Sequence, residues 1–122
     1  MPQYPIVSSL VIGLIALLHV YILVLEMFLW DKPAGRRAFG HSQETASQSK
    51  VLAANQGLYN GFLAAGLFWG LYLGQVGFDI KAFFLGCIFV AGLYGGFTAK
   101  RKIIYIQSVP AVIGFVLLWL NI

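Results

Sequence analysis

Cysteine and charge are both scarce in this chain of 122 residues. The single cysteine, Cys87, can form no internal disulfide, and the sequence has no metal-ligand spacing, so we expect no metal site. Charged residues make up 10% of the chain, whereas about 25% is usual for a soluble domain. The basic residues lie in two short clusters rather than along a stripe, which argues against nucleic acid as a partner.

Apolar residues are abundant instead. They form 60% of the sequence, and the mean hydropathy is +0.84, which is typical of an integral membrane protein. The sequence lacks the period-two alternation of a membrane β-barrel, and helices are the other structure that spans a bilayer. We therefore predict an all-α, four-transmembrane-helix bundle that forms a single domain over residues 1–122. The predicted helices cover about 5–30, 50–74, 80–99 and 103–121, and a long loop covers 31–49.

The positions of lysine and arginine predict the orientation. Seven of the eight basic residues fall in the first and third connections, and the remaining one is Lys81. Because positive charge is retained on the cytoplasmic side, loops 31–49 and 100–102 are expected in the cytoplasm of a cell-membrane protein. Both termini are then expected outside.

Two ionisable residues interrupt the first apolar run. Glu26 costs about 3 kcal/mol on membrane-insertion scales, and such a residue is a functional-site hypothesis by default. We expect its partner to be Asn55 or Gln56 of the second helix, or Arg101. His19 lies two helical turns before Glu26 on the same stripe, and a lone histidine there is more often packed than a proton relay.

With this orientation, the polar side chains of all four helices fall in the cytoplasmic half of the bundle. Polar groups in lipid face each other or a wet cavity, so the layer predicts a pocket that opens to the cytoplasm. Arg101 and Tyr105 are the candidates for a catalytic role. The amides also permit a second interpretation, in which they only join helices. The expected ligand-binding residues are Glu26, Asn55, Gln56, Tyr59, Asn60, Arg101, Tyr105 and Gln107.

Glycines recur at every fourth position in the second and third helices. Gly57 and Gly61 form one such pair, and Gly92 and Gly96 form another. Small residues at this spacing let helices approach closely. The spacing does not indicate whether the neighbouring helix belongs to the same chain or to a second copy.

The start of the second helix carries a specific motif. Residues 55–61 read Asn-Gln-Gly-Leu-Tyr-Asn-Gly within the run 51–66. This run resembles the hallmark of a family of small bacterial four-helix membrane proteins of unknown function, and the resemblance covers nearly the whole chain. It implies the architecture and names no activity.

The chain is also similar, more distantly, to the membrane-associated proteins of eicosanoid and glutathione metabolism. The shared features are the topology, Asn55 near the start of the second helix, and Arg101 and Tyr105 at the start of the fourth. The resemblance implies a homo-oligomer, namely a trimer, and glutathione or another thiol as cosubstrate. A nearby cation and a phenol donor would favour the thiolate of such a ligand.

Two positions depart from the pattern of that superfamily. It has an arginine before the asparagine and a glutamate three residues after it. Here Val51 or Ala54 stands in the first place and Leu58 in the second, with Lys50 and Glu26 nearby.

Three functions are compatible with the sequence. The leading function is that of a membrane protein whose pocket binds a lipophilic or amphipathic small molecule. A transferase-like enzyme is included in this function. The second is a small transporter or efflux subunit with Glu26 as its proton or cation site. The third is a structural membrane subunit without catalysis, in which the amides hold helices together.

Overall fold

The computed structural model describes residues 5–122. Within that range the regular structure is helical throughout and contains no strand, which confirms the predicted all-α class. A 3₁₀ turn joins the third and fourth helices, and a π-helical turn precedes the fifth. The α-helices are α1 Ile6–Met27, α2 Pro33–Phe39, α3 Gln43–Leu73, α4 Phe78–Thr98 and α5 Val109–Leu120.

Two helical segments are long and apolar enough to cross a membrane. They are Ile6–Met27 and Gln43–Thr98, which contain stretches of 18 residues with mean hydropathies of 2.5 and 1.9. The second is 56 residues long and contains both α3 and α4, while Ile104–Leu120 is apolar but shorter. By length and composition these helices suggest a membrane association only weakly, because core helices of soluble proteins can pass the same test.

The predicted loop 31–49 contains helical structure. Pro33 occupies the first turn of α2, where its missing N–H costs nothing, and Gly40 ends the helix in the left-handed region with φ 68°. α3 begins at Gln43 rather than near residue 50. The hydroxyl of Ser42 accepts a hydrogen bond from the Thr45 N–H at 3.2 Å and so caps the start of α3. The sequence prediction located the apolar part of α3 and missed its polar first two turns.

The described chain forms two compact units. The first unit consists of the chain up to Ala16 together with Ala65–Ile122, and the second unit is Leu17–Ala64. α1 and α3 therefore each contribute residues to both units.

In the first unit, the chain reverses direction between α3 and α4. Gly74 has a φ of 66°, and a side chain on Gly77 would collide with the carbonyl oxygen of Gly70. Further from the turn, the ring of Phe84 lies directly against Gly66. The glycines thus allow α4 to pack closely against the end of α3.

α5 and the π-helical turn complete the first unit. Pro110 has no N–H to donate to the helix, which accounts for a wider turn over the residues just before it. The hydroxyl of Ser108 donates to the carbonyl of Phe89 at 2.9 Å, and Gly92 provides the space for this contact. The buried core of this unit includes Ile12, Ile15, Leu67, Leu85, Ile88, Ala111 and Leu118.

In the second unit, glycines of α3 face α1. A Cβ atom at Gly57 would lie 2.6 Å from Cγ of Met27, and one at Gly61 would lie 2.6 Å from Cδ1 of Leu23. Both glycines therefore allow α1 and α3 of the same chain to pack closely. Their spacing alone did not indicate whether the neighbouring helix belongs to the same chain or to a second copy. The close approach also brings polar side chains of the two helices together.

Candidate functional site

The contact that defines the candidate site joins Glu26 to Asn60. The side-chain amide of Asn60 donates a hydrogen bond of 2.6 Å to Oε1 of Glu26, and both residues are half-buried. The same amide nitrogen lies 3.1 Å from the main-chain carbonyl oxygen of Gln56. Gly57 lies beside Cβ of Glu26, so the absence of a side chain there is what lets α1 carry its carboxylate to α3.

This pairing corrects the partner predicted for Glu26. The sequence predicts Asn55, Gln56 or Arg101, but the partner is Asn60, and the side-chain amide of Asn55 instead donates to the carbonyl of Val51 at 2.9 Å. The side chains of Asn55 and Gln56 are exposed on α3, while that of Asn60 is not. The prediction failed because it used depth alone, and depth does not fix which side of a helix faces its neighbour.

The neighbouring polar residues of α3 point away from the core of the second unit. Tyr59 is 56% exposed, and its nearest aromatic neighbour is Phe62, with ring centroids 6.1 Å apart. Together with Asn55 and Gln56, Tyr59 gives α3 an exposed polar face, which we call the α3 polar face. It can serve a ligand or a second protein chain equally well.

The other predicted site residues lie in the first unit. Arg101 is exposed in the turn after α4, and Tyr105 is 67% exposed in the π-helical turn. Gln107 is half-buried in the same turn. Thr98, which the sequence placed in the same polar layer, donates its hydroxyl to the carbonyl of Tyr94 at 2.6 Å and so satisfies its own helix.

The eight predicted residues thus fall into two groups. Glu26 and Asn60 are in direct contact in the second unit, with the α3 polar face on the same helix. Arg101, Tyr105 and Gln107 share the first unit. The single pocket that would combine the two groups stays a prediction.

His19 is completely buried in the second unit, with 0% of its surface exposed. A fully buried imidazole fits the packed role that the sequence favoured.

An aromatic cluster in the second unit was missed by the sequence analysis. The indole nitrogen of Trp30 donates to the hydroxyl of Ser49 at 3.0 Å, and the ring of His41 lies 4.2 Å from that of Trp30. A ring nitrogen of His41 is also 3.1 Å from the carbonyl oxygen of Trp30, and Phe39 packs on the other rings. These contacts give Trp30 a packing role.

An ion pair ties the same region together. Nζ of Lys50 lies 3.2 Å from a carboxylate oxygen of Asp31. The hydrogen bond from Lys50 lowers the pKa of Asp31 below its ordinary value. The pair connects the residues just after α1 to α3.

Two surface cavities lie in the first unit, and neither is lined by any of the eight predicted residues. One is apolar and lies between α4 and α5, where Leu85, Phe89 and Phe115 contribute to its walls. The other contains Lys81, which the sequence analysis used only to count charges. Among residues 5–122 no group of three His, Cys, Asp or Glu side chains is arranged to hold a metal ion.

Comparisons with known proteins identify relatives of the chain. Residues 13–119 match the family described as "Protein of unknown function (DUF1304)". A relative from Lactococcus lactis subsp. lactis (strain IL1403), the "Uncharacterized protein YpaA", is 32% identical over 105 residues, which cover 84% of this chain and 88% of the relative. No solved structure matches the chain. The chain therefore belongs to the DUF1304 family of proteins of unknown function.

Proposed function

We propose that this chain is an integral membrane protein that binds a lipophilic or amphipathic small molecule at a polar site within the bilayer, on its cytoplasmic side. The observation that carries the proposal is the 2.6 Å hydrogen bond from Asn60 to Glu26 between two long apolar helices. A transferase-like reaction at this site is part of the same proposal.

The exposed surface of α1 supports a membrane location. Leu10, Leu14 and Leu17 are each more than half exposed, with Leu14 at 66%. Exposed apolar surface of this extent is unfavourable in water by about 25 cal/mol per Å², and a bilayer removes that cost. The distribution of the basic residues supports the same orientation, with loops 31–49 and 100–102 in the cytoplasm and both termini outside.

The chemistry of the Glu26–Asn60 contact supports a binding site. A carboxylate in an apolar span persists only with a hydrogen-bond or charge partner, and Asn60 supplies one. Glu26 is only half-buried, so the carboxyl group is available to a polar group of a ligand whose apolar part contacts the surrounding helices. Arg101, Tyr105 and Gln107 are proposed as further ligand-binding residues.

The α3 polar face supports assembly with further copies of the chain. Exposed amides such as those of Asn55 and Gln56 are unfavourable against lipid and commonly bond across membrane helices. We propose a cyclic homo-oligomer in which this face meets a second copy. The resemblance to the glutathione-metabolising membrane proteins favours a trimer, and it also favours glutathione or another thiol as cosubstrate. Mass measurement in lipid nanodiscs tests the assembly, and a uniform monomer would refute it.

Retention of small molecules tests the binding site. The protein is purified in mild detergent from its host membranes, and native mass spectrometry records what remains bound. Glu26→Gln and Asn60→Ala should reduce the retained molecule more than they reduce the melting temperature. Ser47→Ala, on the exposed first turns of α3, is the matched control and should change neither. Calorimetry with glutathione, on wild type and Tyr105→Phe, tests the thiol directly.

The two other functions predict different results from the same variants. A structural subunit would lose stability or assembly in Asn60→Ala without having retained any molecule in wild type. A small transporter with Glu26 as its proton or cation site would give proton-coupled flux in liposomes that Glu26→Gln abolishes. Either result, without small-molecule retention, would replace the proposal.

A further inference from the structure

Lys81 is a buried cation near the start of α4. The residue is only 2% exposed, and its Nζ donates a hydrogen bond of 3.0 Å to the carbonyl of Gly74 at the reversal between α3 and α4. Gly70 faces its aliphatic stem so closely that a Cβ there would lie 2.5 Å from Cγ of Lys81. The packing therefore fixes where the ammonium group lies.

The charge of Lys81 is not balanced within the described chain. An ammonium group has three N–H donors, and among residues 5–122 Gly74 provides the one acceptor. No carboxylate of those residues forms an ion pair with Lys81; Asp79, the nearest along the chain, is exposed. Burying a cation without a counter-charge is costly, so the remaining donors indicate an anionic partner from outside residues 5–122.

A cavity of about 200 Å³ is lined in part by Lys81. Gln75 and Asn121 contribute amide side chains to its wall, and apolar residues form the rest. Asn121 adopts the left-handed conformation with φ 57°, which ends α5 at the rim of the cavity. One cation and two amides around a small open cavity are suited to the oxygens of a phosphate group.

We propose that this cavity binds a phosphate group through Lys81, with Gln75 and Asn121 as additional donors. The proposal rests on the membrane location proposed above. Lys81 lies near one end of α4, whose 21 residues span about 30 Å, and Lys100 follows the other end. In a bilayer, the cavity would then lie at the level of the outer headgroups, where phosphodiesters are abundant. The phosphate can come from a phospholipid headgroup or from solution.

A purely structural role makes a different prediction. Cations often stabilise the carbonyl groups at helix C-termini, and Lys81 does contact Gly74 there. In that case replacing Lys81 would change the melting temperature without changing the binding of any phosphate compound.

The test uses the full chain in mild detergent, with phosphatidylglycerol, diacylglycerol and sodium phosphate as probes. Native mass spectrometry and thermal-shift titration measure the apparent affinity for each. Lys81→Met should weaken phosphatidylglycerol binding at least about tenfold, because charge-assisted hydrogen bonds are the strong class. Lys32→Met removes an exposed charge outside the cavity and should leave binding unchanged. Diacylglycerol, which lacks the phosphate, should not bind there.

A second variant covers the case in which Lys81→Met does not fold. Asn121→Gly removes the rim amide while keeping a residue that accepts φ 57°, and it should weaken binding by a smaller factor. Competition by sodium phosphate would identify free phosphate as a sufficient ligand. Equal phosphatidylglycerol binding by wild type and both variants would overturn the proposal. Retention in carbonate-washed membranes, measured separately, tests the membrane location independently of the cavity.

Discussion

The Asn60–Glu26 hydrogen bond can be measured by a double-mutant cycle. Asn60→Ala removes the donor, Glu26→Ala removes the acceptor, and the double variant removes both. The coupling free energy is the difference between the effect of the double variant on the free energy of unfolding and the sum of the effects of the two single variants. This isolates the contact from the general effect of shortening side chains on two packed helices.

The structure sets the expected magnitude. The 2.6 Å donor–acceptor distance places the contact among short, strong hydrogen bonds. Bonds to charged groups contribute about 1.5–3 kcal/mol in soluble proteins, whereas bonds between membrane helices average about 0.6 and reach about 1.7 kcal/mol. Since both residues are half-buried, we expect a coupling of about 1–2 kcal/mol.

Unfolding by sodium dodecyl sulfate in mixed micelles, followed by circular dichroism, provides the assay. Ser47→Ala is the matched control, because the Ser47 hydroxyl is exposed on α3 and, among the described residues, accepts a hydrogen bond only from the Gln43 side chain of its own helix. We expect that change to alter the free energy of unfolding by less than about 0.5 kcal/mol. A coupling near zero for Asn60 and Glu26, or an equal loss in Ser47→Ala, would refute the assigned pairing.

Three further predictions concern packing, orientation and pH. Gly61→Leu should lower the melting temperature sharply, because even a Cβ there would lie 2.6 Å from the facing leucine, whereas Gly61→Ala should cost less. In a cysteine-free background, a cysteine at Ser47 should be shielded from impermeant thiol reagents in intact cells and one at Val76 labelled; the reverse would overturn the orientation. The Asp31–Lys50 pair lowers the pKa of Asp31, so its stabilisation should be present above the ordinary value of 3.8 and be lost as the pH falls through the lowered one. Hydrogen exchange near the start of α3 should report that loss, and Lys50→Met should remove the pH dependence.

Some features of this protein follow from sequence alone because they depend on local chemistry. The absence of alternating polarity predicted an all-α fold, and the structure confirms it for residues 5–122. The Ser42 cap is a local feature of the same kind, because its hydroxyl acts on an N–H only three residues away. The spacing of Gly57 and Gly61 predicted close helix packing, because a stripe of glycines leaves room for a neighbouring helix whichever helix that is.

Other features depend on how the helices are rotated against one another. The choice of Asn60 over Asn55 as the partner of Glu26 is of this kind, because both amides lie at similar depth and only packing decides which one faces α1. The sequence shows Lys81 only as one basic residue near a turn. It does not reveal that Lys81 is buried and lines a cavity. Sequence periodicity fixes which residues share a helix, but side-chain packing between helices fixes which of them meet. The physical reason is that helix rotation is set by the sum of many non-local contacts.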